Sequence, residues 1–300
     1  MQRLLESVPN FSEGRRPEVV QGIVEATQSV NGVHVLDLHS DADHNRSVLT
    51  LAGEADALVE AVFRAVQRAT ETIDLRQHSG EHPRIGATDV VPFIPLGTTS
   101  MSEAVTAARS LGARVAQQLN IPVYFYEEAA TRPERQNLEA IRRKGFEELR
   151  DAIKQDTGRL PDLGPAEVHP SAGAVVVGAR GPLIAYNIYL NSNDVRIAKA
   201  IAKAIRHSSG GLRYVKALGL EIPARGQVQV SMNLTNYRKS AIHTVFELVR
   251  SIAHSHGATI TDSEVVGLVP MEALVDSARF YLRMHDFASD QILESKLLEG

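Results

Sequence analysis

Ala172-Gly173-Ala174-Val175-Val176-Val177-Gly178-Ala179-Arg180-Gly181-Pro182-Leu183-Ile184-Ala185-Tyr186-Asn187-Ile188-Tyr189-Leu190 is an apolar run whose reading decides the fold. A membrane span needs about 20 predominantly apolar residues in one helix. Arg180, Gly181 and Pro182 break this run in the middle, so it reads instead as two short buried strands. Immediately upstream, residues 156–173 hold three prolines and three glycines in eighteen positions, which can continue neither a helix nor a central strand. A domain boundary is therefore expected at 178, giving halves 1–178 and 179–300.

Each half spells the same order of elements. After the break come a strand at Leu183–Leu190, a helix over 193–206, strands at Tyr214–Leu220 and Gln227–Asn233, a helix over 240–256 and a strand at Thr259–Ile260. Before it, Leu4–Val8 is a short apolar run. Residues 17–29 carry Val19, Val20, Ile23 and Val24 at helical spacing, with Pro17 suited to the first turn. Val33–Leu38 and Ser47–Leu51 read as strands around a polar turn with Asp41, Asp43 and Asn45. Leu58, Val62, Ala65, Val66 and Ala69 give 55–74 one apolar face, and Asp89–Ile94 is a further strand. A helix at 101–119, a strand at Val123–Tyr126 and a charged helical stretch at 133–155 follow. Both halves thus predict β-α-β-β-α-β, the split βαβ order of ferredoxin-like domains. The expected class is α+β, a duplicated pair of such subdomains with a ligand cleft between them.

Composition narrows the chemistry. The 300 residues are 43% hydrophobic and 23% charged, with a formal net charge of -4 and neither cysteine nor tryptophan. No cysteine means no disulfide, no thiolate metal site and no cysteine nucleophile. The slight acidity argues against nucleic acid as a partner. No apolar run is long enough for a membrane, and the early Pro9 argues against a signal peptide, so a cytoplasmic location is expected.

Common catalytic signatures are missing: no Walker A loop, no GxGxxG after a strand, no GxSxG and no HExxH. Ser208-Ser209-Gly210-Gly211 follows a helix and reads as its C-terminal turn. His34, His39 and His44 recur every five residues, which suits neither a strand nor a helix face. Gly80 and Pro83 break any helix that would align His78 with His82, so no metal is expected.

The segment from Arg76 to Leu96 is the most unusual, because Glu81, His82, Arg84 and Asp89 gather around Gly80, Pro83 and Gly86. Loops carried on a rigid sheet are where catalytic groups collect, although a solvated polar loop has the same composition. A second polar stretch runs from Pro9 to Pro17. There, free N–H groups at a helix start, with Arg15 and Arg16, could hold a carboxylate, or Ser12, Glu13 and Gly14 could shape the turn. Asn45-Arg46 at a strand start, and Asn187 and Asn233 within apolar strands, are further candidates, since a buried Asn must find partners.

Several of these stretches together are highly specific. Val8-Pro9-Asn10-Phe11-Ser12-Glu13-Gly14, Asn45-Arg46-Ser47-Val48 and Gly80-Glu81-His82-Pro83-Arg84-Ile85-Gly86-Ala87 resemble the glutamate formiminotransferase family. Pro92-Phe93-Ile94-Pro95, Pro122-Val123-Tyr124, His243-Thr244-Val245 and Val266-Gly267-Leu268-Val269-Pro270 extend the resemblance along nearly the whole chain. It includes the transferase part of the bifunctional formiminotransferase-cyclodeaminases.

The resemblance implies transfer of the formimino group of N-formimino-L-glutamate to N5 of tetrahydrofolate, a step of histidine degradation and one-carbon metabolism. It implies a homodimer, with the next step left to a separate cyclodeaminase. His82 is then the catalytic histidine. Gly164, Pro165, Ala166, Glu167, Val168, His169, Pro170, Ser171, Ala172 and Gly173 form the folate-contacting loop.

One histidine can take the N5 proton and deliver another to the departing nitrogen. Glu81 would raise its pKa and Arg84 lower it. For the substrate, Asp37, Glu81 and Asp89 compete for the amidinium, Arg46 and Arg84 suit the two carboxylates, and Asn10 lies beside them in the first motif. The pteridine is expected in the cleft. The alternatives are formyl transfer or 5-formyltetrahydrofolate turnover on the same scaffold, or a noncatalytic amino-acid or folate sensor. The chain departs from relatives at Ser7 and Val91, where many carry Cys. It departs again near Ala172, where they carry an aromatic residue, and at Glu127, where glycine is common.

Overall fold

A computed structural model describes residues 3–80 and 83–299 and divides into two compact units, one ending at Arg180 and the other starting at Gly181. The first contains β1 (Leu4–Ser7), β2 (Asn10–Phe11), α1 (Pro17–Gln28), β3 (Val33–Asp41), β4 (Arg46–Gly53), α2 (Ala55–Thr72), β5 (Thr88–Leu96), α3 (Met101–Leu119), β6 (Val123–Glu127), α4 (Leu138–Ile141), α5 (Gly145–Ala152) and β7 (Val175–Ala179). The second contains β8 (Ile184–Leu190), α6 (Val195–Ile205), β9 (Val215–Ile222), β10 (Gln227–Leu234), α7 (Ile242–Ser255), β11 (Ile260–Val266), α8 (Met271–Leu282) and α9 (Leu293–Glu299). The architecture is mixed α+β with one sheet in each unit.

In the first sheet β1 and β2 are two pieces of one strand line. Both pair antiparallel with β4 on one side and β5 on the other. The interruption falls at Pro9, which has no N–H to give the ladder, although its carbonyl still accepts from Leu49. β3 lies outside β4, antiparallel to it, while β7 and then β6 continue beyond β5 in parallel. The apolar face of α2 (Leu58, Val62, Ala65, Val66 and Ala69) is wholly buried, and α2 packs between α1 and α3. Ser100 and Glu103 close a capping box at the start of α3, satisfying two N–H groups that the helix cannot.

The second sheet is antiparallel in the order β11-β8-β10-β9. Ile184, Ile188, Val228, Val230, Ile201, Val245 and Val249 fill its core. In both units the first strand lies between the third and the fourth of the β-α-β-β-α-β series.

Three sequence expectations need correction. The stretch 133–155 is not one helix: Arg142 ends α4, and Lys144 and Gly145 take left-handed backbone before α5 starts. The strand read at Thr259–Ile260 runs on to Val266, because an edge strand exposes polar Thr261 to Glu264. Asn233 is exposed on β10 and is not a buried group.

Candidate functional site

The register of the first sheet brings three predicted segments to one edge. Asn10 stands opposite Val48 and Val90, and Phe11 opposite Ser47 and Thr88. The end of β2, the start of β4 and the start of β5 therefore converge. Asn10, Phe11, Ser12, His44, Asn45, Arg46, His78, Arg84 and Asp89 line a small recess there. Of the residues expected to bind substrate, Asn10, Arg46, Arg84 and Asp89 are thus gathered into one site. Asp37 sits on β3 opposite Thr50 and does not line it. Glu81 and His82 lie outside the described residues.

Short loops are sewn tightly around the pocket. Ser12 donates its hydroxyl to the carbonyl of Gly86 at 2.7 Å and its N–H to that of Ala87 at 2.8 Å. Gly80 passes so near the β3–β4 turn that a Cβ there would meet the His44 carbonyl at 2.4 Å. Arg15 donates to the Ala42 carbonyl and to Ser79, and Asn45 bridges Gly14 N–H and the Ser79 carbonyl. The N–H groups just ahead of α1 are taken up by the chain itself, although α1 has no side-chain cap. The carboxylate of Glu13 accepts from the N–H groups of Arg15 and Arg16, both at 2.9 Å, and pairs with the Arg16 side chain. Outside the pocket, Asn187 donates to Glu264.

Charge in the pocket is weighted toward cations. Asp89 accepts from Ile85 N–H and from Arg142, each at 2.8 Å, so both of its oxygens are engaged. Arg142 comes from the end of α4, and nothing in the sequence near Asp89 announces it. Arg84 donates one terminal nitrogen to the His78 carbonyl at 3.0 Å and to Glu147 at 3.1 Å. Arg46 donates to the side-chain oxygen of Asn10. Burial, reinforced by the charge of Arg142 and opposed by Asp89 and Asp41, lowers the Arg46 pKa to about 10, so it stays cationic at neutral pH.

Among the described residues, the Nε atoms of Arg46 and Arg84 are buried without a hydrogen-bond partner. An unmet charged donor is costly unless a ligand supplies the acceptor. Two such guanidinium donors suit an anion such as a carboxylate.

The loop at 164–173 lies against the same segment. Leu75 N–H donates to the Ser171 carbonyl at 2.8 Å, Ala87 N–H to that of Ala172 at 2.8 Å, and Ala174 N–H to that of Ile85 at 2.9 Å. Gly86 and Gly173 form a bridge, and a Cβ on Gly86 would lie 1.9 Å from the Ala174 carbonyl. The His169 ring accepts from Ala172 N–H at 3.1 Å, and burial lowers its pKa. The two motifs are therefore one hydrogen-bonded unit. Among the described residues no group of three or more His, Cys, Asp or Glu is placed to hold a metal, and no helix is long and apolar enough to cross a membrane.

Comparison with known proteins matches the sequence to a family. Residues 4–180 match the formiminotransferase domain, N-terminal subdomain, and residues 185–297 match the formiminotransferase domain. The chain is 49% identical over 296 residues to the glutamate formimidoyltransferase of Thermoplasma acidophilum, covering 98% of this chain and 97% of that one. It is 44% identical over 299 residues to that of Streptococcus pyogenes serotype M1, covering 99% and 100%. With the formimidoyltransferase-cyclodeaminase of Rattus norvegicus it shares 42% identity over 287 residues, covering 94% of this chain and 53% of the relative. On these matches the chain belongs to the formiminotransferase family.

Proposed function

We propose that the protein is a glutamate formimidoyltransferase, moving the formimino group of N-formimino-L-glutamate to N5 of tetrahydrofolate. The observation that carries this beyond family membership is the pair of buried Nε donors of Arg46 and Arg84, unmet among the described residues, in one pocket. The donor substrate brings two carboxylates, which match the guanidinium groups of the pocket.

In the reaction N5 attacks the amidine carbon and gives up its proton. The bond from that carbon to the glutamate nitrogen then breaks, and the nitrogen takes a proton as L-glutamate leaves. No electrons are exchanged with a third reagent, so proton handling and positioning suffice. His82 handles both protons in this reading. In the sequence His82 lies between Gly80, which packs against the His44–Asn45 turn, and Arg84, which lines the pocket, and this supports the reading. General acid–base catalysis of this kind is worth roughly 10²–10⁴-fold. The loop Gly164–Gly173 contacts the folate, a role supported by its backbone bonds to 85–87. Arg46 and Arg84 hold the donor's carboxylates, and Asn10 fixes Arg46.

The shared strand order supports reading the two units as a duplicated ferredoxin-like pair. The same reading expects a cytoplasmic homodimer whose product passes to a cyclodeaminase.

The test is incubation with N-formimino-L-glutamate and tetrahydrofolate, following released glutamate and 5-formiminotetrahydrofolate, with N-formyl-L-glutamate as a parallel donor. Formimino transfer is expected, and His82→Ala should abolish it while folate still binds. Faster turnover of the formyl donor would favour the alternative chemistry. Near-normal turnover by His82→Ala would remove that residue from the mechanism.

A further inference from the structure

In the sequence His78 pairs poorly with His82 as a metal ligand, and the fold gives it another position. It lines the pocket beside Arg46, Arg84 and Asp89. Its Nε2 lies 3.0 Å from the backbone carbonyl of Asn45. A carbonyl can only accept, so Nε2 carries the proton and Nδ1 keeps a lone pair. That Nδ1 is buried and has no partner among the described residues. The pocket wall therefore holds one unmet acceptor next to two unmet cationic donors.

We infer that His78 is the specificity-determining residue that selects a formimino over a formyl donor, its Nδ1 accepting a hydrogen bond from the amidinium N–H. This rests on the transferase reading and deepens it. The formimino and formyl groups have nearly the same size and differ in what they present to the wall. The amidinium offers N–H, whereas the formyl group offers an oxygen lone pair that would face the Nδ1 lone pair. A site built to pair with a substrate N–H rejects an analogue lacking it far more strongly than shape alone allows. Of the carboxylates considered from the sequence, Asp37 is outside the pocket and both oxygens of Asp89 are engaged, while Glu81 lies outside the described residues.

The neutral state that selection requires is built in. Burial lowers the His78 pKa, the charges of Arg84 and Arg15 add to that, and the Asn45 carbonyl and Glu13 oppose it. Protonation at acid pH would turn Nδ1 into a donor and erase the preference.

The test is calorimetric measurement of the dissociation constants of N-formimino-L-glutamate and N-formyl-L-glutamate for the wild type, His78→Phe and His78→Gln. The wild type should bind the formimino compound roughly 10–100-fold more tightly, as expected for a hydrogen bond to a charged group. His78→Phe keeps a ring but removes the acceptor, and should bring the two constants within about threefold. His78→Gln, whose amide can donate to Asn45 and still accept, should keep part of the preference. A purely structural role would weaken both ligands together and leave their ratio alone.

If His78→Phe does not fold, the wild-type ratio decides the matter through its fall as pH drops below the ordinary histidine range. An unchanged ratio in the folded variants, or a pH-independent wild-type ratio, overturns the inference. Turnover is followed in parallel: intact binding preference without formimino transfer would sink the transferase reading while leaving this selection standing.

Discussion

The two units place their first, third and fourth strands in the same order, yet the corresponding ends of their sheets differ sharply in chemistry. In the first unit the end of β2 and the starts of β4 and β5 carry Asn10, Arg46 and Asp89, with buried donors unmet among the described residues. In the second, the end of β8 and the starts of β10 and β11 carry Asn191, Gln227 and Asp262. There Asn191 accepts from Thr259 N–H at 2.7 Å, Gln227 donates to Thr261 at 3.0 Å, and Arg225 pairs with Asp262 at 2.7 Å in solvent. One end is polar and self-satisfied, the other polar and waiting. Topology alone does not make a site; unmet hydrogen-bonding capacity in a cation-rich recess does.

The sharpest contrast lies in two ion pairs. Arg142 and Asp89 have side chains only 14% and 5% exposed, whereas Arg225 and Asp262 are 41% and 44% exposed. Removing one partner of a buried pair strands a charge, so Arg142→Ala should cost about 3–5 kcal/mol in a urea melt. Arg225→Ala should leave the melt close to that of the wild type, because water screens an exposed pair. Equal losses would erase the distinction between the two ends.

A second effect, of moderate size, is on pH. Arg46 titrates near 10 in the fold against 12.5 ordinarily. Above pH 10 it loses the charge that holds the donor's carboxylate, so KM for the donor should rise about tenfold per further pH unit. The sign for stability is opposite. Between these two values the unfolded chain keeps the proton that the folded one has lost, so this group favours folding more as pH rises. A rise in KM with an unchanged or higher melting point in that window separates the two effects.

The smallest effect concerns Glu127, which sits at φ 51 in left-handed backbone. Glu127→Gly should relieve strain of about 1–2 kcal/mol but lose side-chain contacts and add chain entropy. A net gain of at most about 1 kcal/mol is expected in thermal unfolding, and a clear loss would show that those contacts outweigh the strain.

What the sequence shows depends on the range of each interaction. Alternation and helical spacing are local, so β3, β4, α2, α3 and the break at Gly181-Pro182 were legible. Asn10, Arg46, Arg84 and Asp89 stand in or beside contiguous motifs, and the fold gathers them at one pocket. Arg142 was read as part of a charged helical stretch, since its partner Asp89 is 53 residues away. His78 was read against His82, four residues on, while its real partner Asn45 is 33 residues back across a loop. α8 gave little signal because Ala273 is its only buried residue among those described. The turn at Lys144-Gly145 was masked by surrounding helix formers.

The most direct test of the central claim compares matched arginines at the two ends. Arg46→Met and Arg225→Met are assayed with N-formimino-L-glutamate and tetrahydrofolate, and kcat/KM is measured for the donor. Arg46→Met should lose roughly 10–100-fold, chiefly through KM, because a charge-assisted contact to a carboxylate is removed, and Arg225→Met should match the wild type. Unchanged kcat/KM in Arg46→Met, or an equal loss in both, would contradict the assignment of donor binding to the first unit's pocket.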